Sequence, residues 1–366
     1  MTNQGTIDFR GTLSSSEGLV HTLVNAYMLS AALFSCVELD IFTSLDQRPG
    51  LTLQELAELS AISRKQTQKL ISFCLSVGLI RQTGEQFYNS PDAQKLLSLH
   101  SASNLCAAIG HHRKHVYPLF GQLSDSLRRE APISHLLRLD EQAATDNEFY
   151  AELDKNAREF NLFMAAMNTF SRGAGARLAQ TLSERGNASS SLRILDLGGG
   201  GGQVAIELAK ALPSSQITLV DLAKAVSYAR EQVVSNVLSD QIACQEGDIF
   251  STLPFAADAF DIVLISAVLG DWSLDYQSRL LANAHFHLKS DGVLVVSETL
   301  LDDDLSGPIL PTLMSLYVQI LTEGGENFTP QALTRLLEDN GFGNVELYWN
   351  RAAGCRDTVL AKKIES

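Results

Sequence analysis

Between residues 195 and 212 the chain reads LDLGGGGGQVAIELAKAL, which sets Asp196, Gly198, Gly200 and Gly202 on alternate positions between a short apolar run and a helical pattern. Glycines at such a strand-to-helix junction let the backbone turn sharply and approach a ligand with no Cβ in the way. Asp221, with Leu222 beside it, closes the next apolar run, where a carboxylate can hold ribose hydroxyls. Two classes of adenosyl cofactor use that geometry. The dinucleotide fingerprint G-x-G-x-x-G, started at Gly198, Gly199 or Gly200, ends on Gln203, Val204 or Ala205, so only the last start meets even its relaxed form. A dehydrogenase is therefore the weaker alternative. A carboxylate at Asp196 would repel a pyrophosphate but suits a cofactor with a cationic amino-acid tail.

Further residues able to do chemistry follow later apolar runs. Glu246-Gly247-Asp248-Ile249-Phe250 and Val268-Leu269-Gly270-Asp271-Trp272 put acidic and aromatic groups at successive strand ends, where open α/β sheets hold ligands. The plainer reading has Asp248 capping a helix and Trp272 in the core. His111, His112 and His115 form a cluster in which His111 and His115 share a helix face at i, i+4. They offer a general base or, with Arg113 and Lys114, a solvated and mildly basic helix face. Two imidazoles without an adjacent carboxylate make a poor metal site, so no metal is expected. His285 and His287 read as structural.

The elements that must position these residues fall into three segments. Residues 1–103 carry two capping boxes, Thr52 with Glu55 and Ser63 with Gln66, each ahead of an apolar periodic run. Leu79-Ile80-Arg81, a turn at Thr83-Gly84 and Phe87-Tyr88-Asn89 then predict a hairpin, which outlines a winged helix. Residues 104–185 are helical, with Tyr117, Phe120, Phe149, Tyr150, Phe160, Phe163, Met164, Met167 and Phe170 either lining an apolar pocket or forming an ordinary core. The small polar stretch Ser183–Ser191 reads as a loop. Residues 186–366 predict strands at Arg193–Leu197, Ile217–Leu222, Ile242–Glu246, Phe260–Leu269, Gly292–Thr299, Asn344–Tyr348 and Asp357–Ala361. Alternation with helices implies an α/β fold with a mainly parallel sheet, its last two strands an antiparallel edge pair.

A length of 366 residues with 45 % hydrophobic content suffices for two cores and excludes disorder as the main state. Runs such as Ile262–Leu269 and Val293–Val296 fall short of the ~20 residues that span a bilayer, and the N-terminus has no basic-then-apolar leader pattern. The expectation is a cytoplasmic protein with no membrane partner. Five scattered cysteines without a CxxC pair read as free thiols. A formal charge of −14 opposes binding to nucleic acid. A DNA-binding regulator using Ser63–Val77 as recognition helix is weakened further, because residues 51–100 hold only five basic against four acidic side chains.

The motifs resemble those of the S-adenosylmethionine-dependent methyltransferases of the caffeate and hydroxyindole O-methyltransferase type. The likeness runs from Ser35-Cys36-Val37-Glu38-Leu39-Asp40-Ile41-Phe42 through LDLGGGGGQ, LVDL, EGDIF, VLGDW, GVLVVSE and GGENFT to LLEDNGF. It implies a Rossmann-like seven-stranded methyltransferase domain preceded by an all-helical, winged-helix dimerisation domain. Residues 1–103 would dimerise, 104–185 would form a helical substrate pocket and 186–366 would bind S-adenosylmethionine. The implied partners are a second copy of the chain and a small aromatic acceptor of phenolic type. By the same resemblance Gly198, Gly200 and Gly202 shape the cofactor loop, Asp221 binds the ribose, Asp248 and Ile249 flank the adenine, and Ser266 and Trp272 border the cofactor.

The same resemblance exposes a departure. O-methylating members usually read H-D-W where this chain has Gly270-Asp271-Trp272, and that histidine is their general base. The glutamate that orients it aligns with Asn327, followed by Phe328 in place of arginine, while a first orienting glutamate is matched by Glu298. Three expectations compete. The base has moved to His111, His112 or His115; the acceptor is a ring carbon, an amine or an unusual oxygen; or the chain binds the cofactor and does other chemistry.

Overall fold

The computed structural model describes residues 16–137, 153, 156–184, 191–350 and 356–364. Phe149, Tyr150, Cys355 and most of the Ser183–Ser191 stretch lie outside the described residues. The chain divides into two compact units, Met1–Lys114 and His115–Ser366.

The first unit runs α1 (Ser16–Glu38), α2 (Ile41–Gln47), β1 (Leu51–Thr52), α3 (Leu53–Leu59), α4 (Arg64–Ser76), β2 (Ile80–Thr83), β3 (Gln86–Asn89), α5 (Pro91–Leu97) and α6 (Cys106–His111). Thr52 and Glu55 form a full capping box, whereas Ser63 only accepts from the Gln66 N–H. Each N-cap stabilises its helix by about 1 kcal/mol. β2 and β3 make the expected antiparallel hairpin, and β1 adds to the far side of β3. Ile41, Phe42, Leu45, Leu56 and Ile71 build the core. Cys36, Cys74, Cys106 and Cys244 are free thiols.

α1 departs from the sequence reading. Val20, Leu23, Val24, Tyr27 and Met28 are 47–64 % exposed. Gly18–Glu38 is also long and apolar enough to cross a membrane, by length and composition, at mean hydropathy 1.5. His21, Thr22, Asn25 and Ser30 interrupt it, so the sequence shows no unbroken apolar run there. The expectation that no stretch reaches bilayer length is corrected accordingly.

A π-helical turn, His112–Val116, leads into α7 (Tyr117–Phe120), α8 (Leu123–Arg129), α9 (Ala157–Phe170) and α10 (Ala174–Glu184). The sheet region of the second unit follows as β4 (Arg193–Leu197), α11 (Gln203–Ala211), β5 (Gln216–Asp221), α12 (Ala223–Ser235), β6 (Ile242–Glu246), β7 (Phe260–Ser266), α13 (Leu274–His287), β8 (Leu288–Glu298), α14 (Ile309–Leu321), α15 (Pro330–Asp339), β9 (Phe342–Tyr348) and β10 (Asp357–Lys363). The seven strands lie in the order β6-β5-β4-β7-β8-β10-β9. Strands β4 to β8 pair in parallel, and β10 runs antiparallel to both its neighbours. The last two strands form the expected antiparallel pair at the sheet edge, with β10 on the inner side against β8 and β9 outermost.

Alternating residues bury both faces of the sheet. Ile194, Ile217, Ile262 and Val293 pack on one side, and Leu195, Leu197, Val263 and Leu294 on the other. β7 ends at Ser266, earlier than the apolar run suggests, because Ala267 adopts φ 52° and turns the chain into a 3-10 turn at Leu269–Asp271. From β4 the chain moves to β5 and β6 on one side, then returns to β7 and β8 on the other. Such a switch point opens a crevice at the carboxyl ends of the strands.

Candidate active site at the glycine turn

The five-glycine turn leaves β4 at the switch point. Gly198, Gly200 and Gly202 have φ of 74°, 55° and 81°, left-handed values that side-chain-bearing residues rarely adopt. A Cβ on Gly198 would lie 2.7 Å from Val268 Cγ2, and its nearest other neighbour would include Ile249 Cδ1 at 3.5 Å. Over Gly200 the space is open, with only Met164 Cε of α9 at 3.9 Å. Four residues further along α9, Asn168 donates its amide to the Gly201 carbonyl over 3.3 Å. The turn is thus held from both sides and open above its middle glycine.

Carboxylates sit on and under this turn. Asp221 accepts the Gly200 N–H at 2.8 Å and the Leu222 N–H at 2.7 Å. Burial raises its pKa, and those two N–H groups oppose the rise. Leu222 is 61 % exposed at the rim. Asp196 lies beneath the turn, 1 % exposed; burial first and Asp221 second push it up to about 7. Its Oδ2 has no hydrogen-bond partner. Asp196 therefore lies under the turn rather than on its surface, and burial favours its protonated form.

At the ends of β6 and β7, Asp248 is exposed and braces its own turn, accepting the Phe250 N–H at 2.9 Å and the Ser251 hydroxyl at 2.6 Å. No helix follows it, so it caps a turn and not a helix. Phe250 meets Trp272 edge-on at 4.7 Å and Tyr276 at 4.9 Å, forming an aromatic corner. A glycine turn open to a ligand, a ribose-competent acid and an orphaned carboxylate oxygen fit a nucleoside carrying a cationic amino-acid tail.

A second cluster lies at the ends of β7 and β8. Glu298 accepts the Val268 and Leu269 N–H groups at 3.1 and 3.0 Å. Burial, then Asp271, push it up to about 7, against the pull of Arg356. Burial and Asp271 also raise the Tyr317 phenol. Arg356 donates to the hydroxyls of Ser266 and Ser171, each at 3.1 Å. Burial lowers its pKa, and Glu298 and Asp271 counteract. Asn327 donates to Thr299 O at 3.2 Å, Thr299 Oγ1 at 3.1 Å and Pro311 O at 3.1 Å, so it ties the chain after β8 to α14. Phe328, 4 % exposed, is core.

The histidines differ in their surroundings. His111 and His112 belong to the first unit, with ring centroids 5.8 Å apart; His111 is fully buried, and burial lowers the His112 pKa. His115 belongs to the second unit, where its Nε2 lies 3.1 Å from Glu159 Oε2 and both side chains are buried. A solvated basic face is therefore corrected: His111 and His115 are buried, His112 and Lys114 are half-buried, and Arg113 pairs with Glu38. The shared-face spacing is corrected too, since His112–Val116 is wound as a π-helix. His287 is buried with Nδ1 3.2 Å from Ala256 O, and His285 Nε2 lies 3.4 Å from Ile364 O, both structural placements. Among the described residues no group of three metal-competent side chains occurs.

Sequence reasoning missed Glu159, Asn168, Tyr317 and Arg356. Each lies far along the chain from the motif it serves, and nothing local marks it.

The fold and this site define the class of S-adenosylmethionine-dependent methyltransferases. A family model for an O-methyltransferase domain matches residues 139–343, and one for an O-methyltransferase dimerisation domain matches residues 21–98. The chain belongs to that O-methyltransferase family. Human acetylserotonin O-methyltransferase is 29 % identical over 361 residues, covering 96 % of this chain and 100 % of the relative. The crystal structure of human N-acetylserotonin methyltransferase in complex with SAM matches at a TM-score of 0.82 and 26 % identity, covering 100 % of both chains. The 3-hydroxy-5-methyl-1-naphthoate 3-O-methyltransferase of Streptomyces sahachiroi is 26 % identical over 346 residues, 94 % of this chain and 95 % of the relative. The cofactor is S-adenosylmethionine.

Proposed function

We propose that the chain transfers the methyl group of S-adenosylmethionine to a hydroxyl of a small aromatic acceptor, using His115 in place of the absent histidine at position 270. The observation that carries this reading is the buried His115–Glu159 pair at 3.1 Å, a base with an orienting carboxylate. Glu159 stands on the same helix as Met164 and Asn168, which touch the glycine turn. Five and nine residues of helix amount to ~7.5 and ~13.5 Å along its axis, so the pair belongs to the neighbourhood of the turn.

Relatives named for acetylserotonin and a hydroxynaphthoate support an aromatic acceptor. So does an apolar cluster of Val116, Leu119, Phe163, Met164, Ile320 and Leu321, flanked by the half-buried Phe160, Met167, Tyr228 and Tyr317. When bound, the cofactor supplies a methyl group on a cationic sulfonium. The chain's own work is positioning and proton removal. Asp221 holds the ribose, Asp248 and Ile249 flank the base, and Ser266 and Trp272 border the cofactor. Glu298 fixes the turn bearing Asp271 through the backbone N–H groups it accepts. His115 takes the acceptor's proton, with Glu159 holding its ring. The apolar stripe of α1, within the matched dimerisation domain, is covered by a second copy of the chain.

Incubation with methyl-¹³C cofactor and simple phenols tests the reaction by NMR of the product. An aryl-ether methyl signal supports the reading. A ring-methyl signal replaces it with carbon methylation, and cofactor binding without any methylated product removes it.

A further inference from the structure

We propose that Arg356 holds the α-carboxylate of the cofactor's amino-acid tail. The argument rests on the cofactor placement above, with the ribose at Asp221 on β5 and the adenine at the end of β6. Along the order β6-β5-β4-β7 the remainder of the cofactor then points over the glycine turn toward β7.

Two features bring Arg356 to that place. β10 is antiparallel to β8, with Asp357 opposite Glu298, so the residue before β10 arrives at the carboxyl ends of the parallel strands, where the crevice lies. Its guanidinium then spans the two flanks of the turn. One nitrogen donates to Ser266, at the end of the strand that pairs with β4, where Leu197 faces Ile265 one residue earlier. Another donates to Ser171, three residues after Asn168, whose amide binds Gly201.

Charge points the same way. The cofactor's tail is zwitterionic, carrying an ammonium and a carboxylate. Asp196, Asp221, Asp271 and Glu298 around the turn suit the ammonium and the sulfonium; none suits the carboxylate. Arg356 supplies the cation. Its two hydrogen bonds go to neutral hydroxyls, which fix the plane of the fork while Glu298 and Asp271 act on it through space. A planar, fixed guanidinium is matched to a carboxylate.

The test is calorimetric binding, which needs neither acceptor nor turnover and so stands apart from the proposed methylation. S-adenosylhomocysteine keeps the α-carboxylate, and 5′-methylthioadenosine lacks the tail. R356Q is expected to weaken S-adenosylhomocysteine about 10- to 100-fold, as for loss of a charge-assisted hydrogen bond, while leaving methylthioadenosine within about twofold. R356K should fall between. Equal losses for both ligands, or no loss for S-adenosylhomocysteine, would overturn the assignment. Should R356Q not fold, R356K is compared using decarboxylated S-adenosylmethionine. Its deficit must then appear for the carboxylated ligand alone, and an equal deficit for both contradicts the proposal.

Discussion

Gly270 and Glu326 are joined twice: the Glu326 N–H donates to the Gly270 carbonyl over 2.8 Å, and a Cβ on residue 270 would stand 2.9 Å from the Glu326 carbonyl oxygen. Backbone occupies the place where a side chain would begin. Position 270 is thus closed to a side chain, and beside Glu326 the Asn327 amide is engaged by Thr299 and Pro311. Restoring the family histidine should fail. G270H and G270A are expected to lose about 1–3 kcal/mol in urea unfolding, as for overpacking, with no gain in methyl-transfer rate. A stable, faster G270H would show that the position still accepts a base.

Asp221 couples the turn to the next strand through the Gly200 and Leu222 N–H groups. D221A leaves both donors without that acceptor and removes the group assigned to the ribose. Affinity for S-adenosylhomocysteine should fall at least about tenfold, the scale of one charge-assisted hydrogen bond. Unchanged calorimetric affinity would remove Asp221 from the site.

Asp196 and Glu298 each hold a proton up to about pH 7 in the folded chain, whereas ordinary carboxyls release it near pH 4. The folded state therefore binds more protons than the unfolded state across that window. The stability these two groups contribute is therefore full below pH ~4 and is lost as pH rises to ~7. D196N removes one of the two titrations. Its unfolding free energy should decline less steeply than that of the wild type over this range, by on the order of 3 kcal/mol in total. Parallel curves would mean that Asp196 does not titrate there.

The exposed stripe of α1 gives a direct test of self-association. Val24 is 64 % exposed between Leu23 and Tyr27, so V24E costs the isolated unit little but puts a charge into the face proposed to meet a second copy. Light scattering should show a dimer for the wild type and a shift to monomer for V24E. A monomeric wild type at micromolar concentration would overturn the proposed contact.

Local chemistry made much of this molecule legible in its sequence. Thr52 with Glu55 announced a capping box because both partners lie within one turn, and the alternate glycines announced a left-handed turn at which only glycine is comfortable. The parallel strands showed as short β-branched runs. What failed depended on distance. The edge pair was legible, but its order was not: that β10 and not β9 meets β8 is set by a pairing fifty-nine residues apart, Glu298 against Asp357, and Arg356 owes its position to it. The π-helical winding of His112–Val116 undid a spacing argument built on 3.6 residues per turn. Glu159 became visible only once α9 lay beside His115.

Proton removal by His115 is tested most directly by single-turnover methyl transfer by H115Q to phenols of graded acidity. A lost general base should cost about 10²- to 10⁴-fold with weakly acidic phenols, and the deficit should shrink toward none with phenols already ionised at the assay pH. E159Q should show the same trend in milder form. A deficit equal for every phenol, or wild-type rates throughout, would contradict the account.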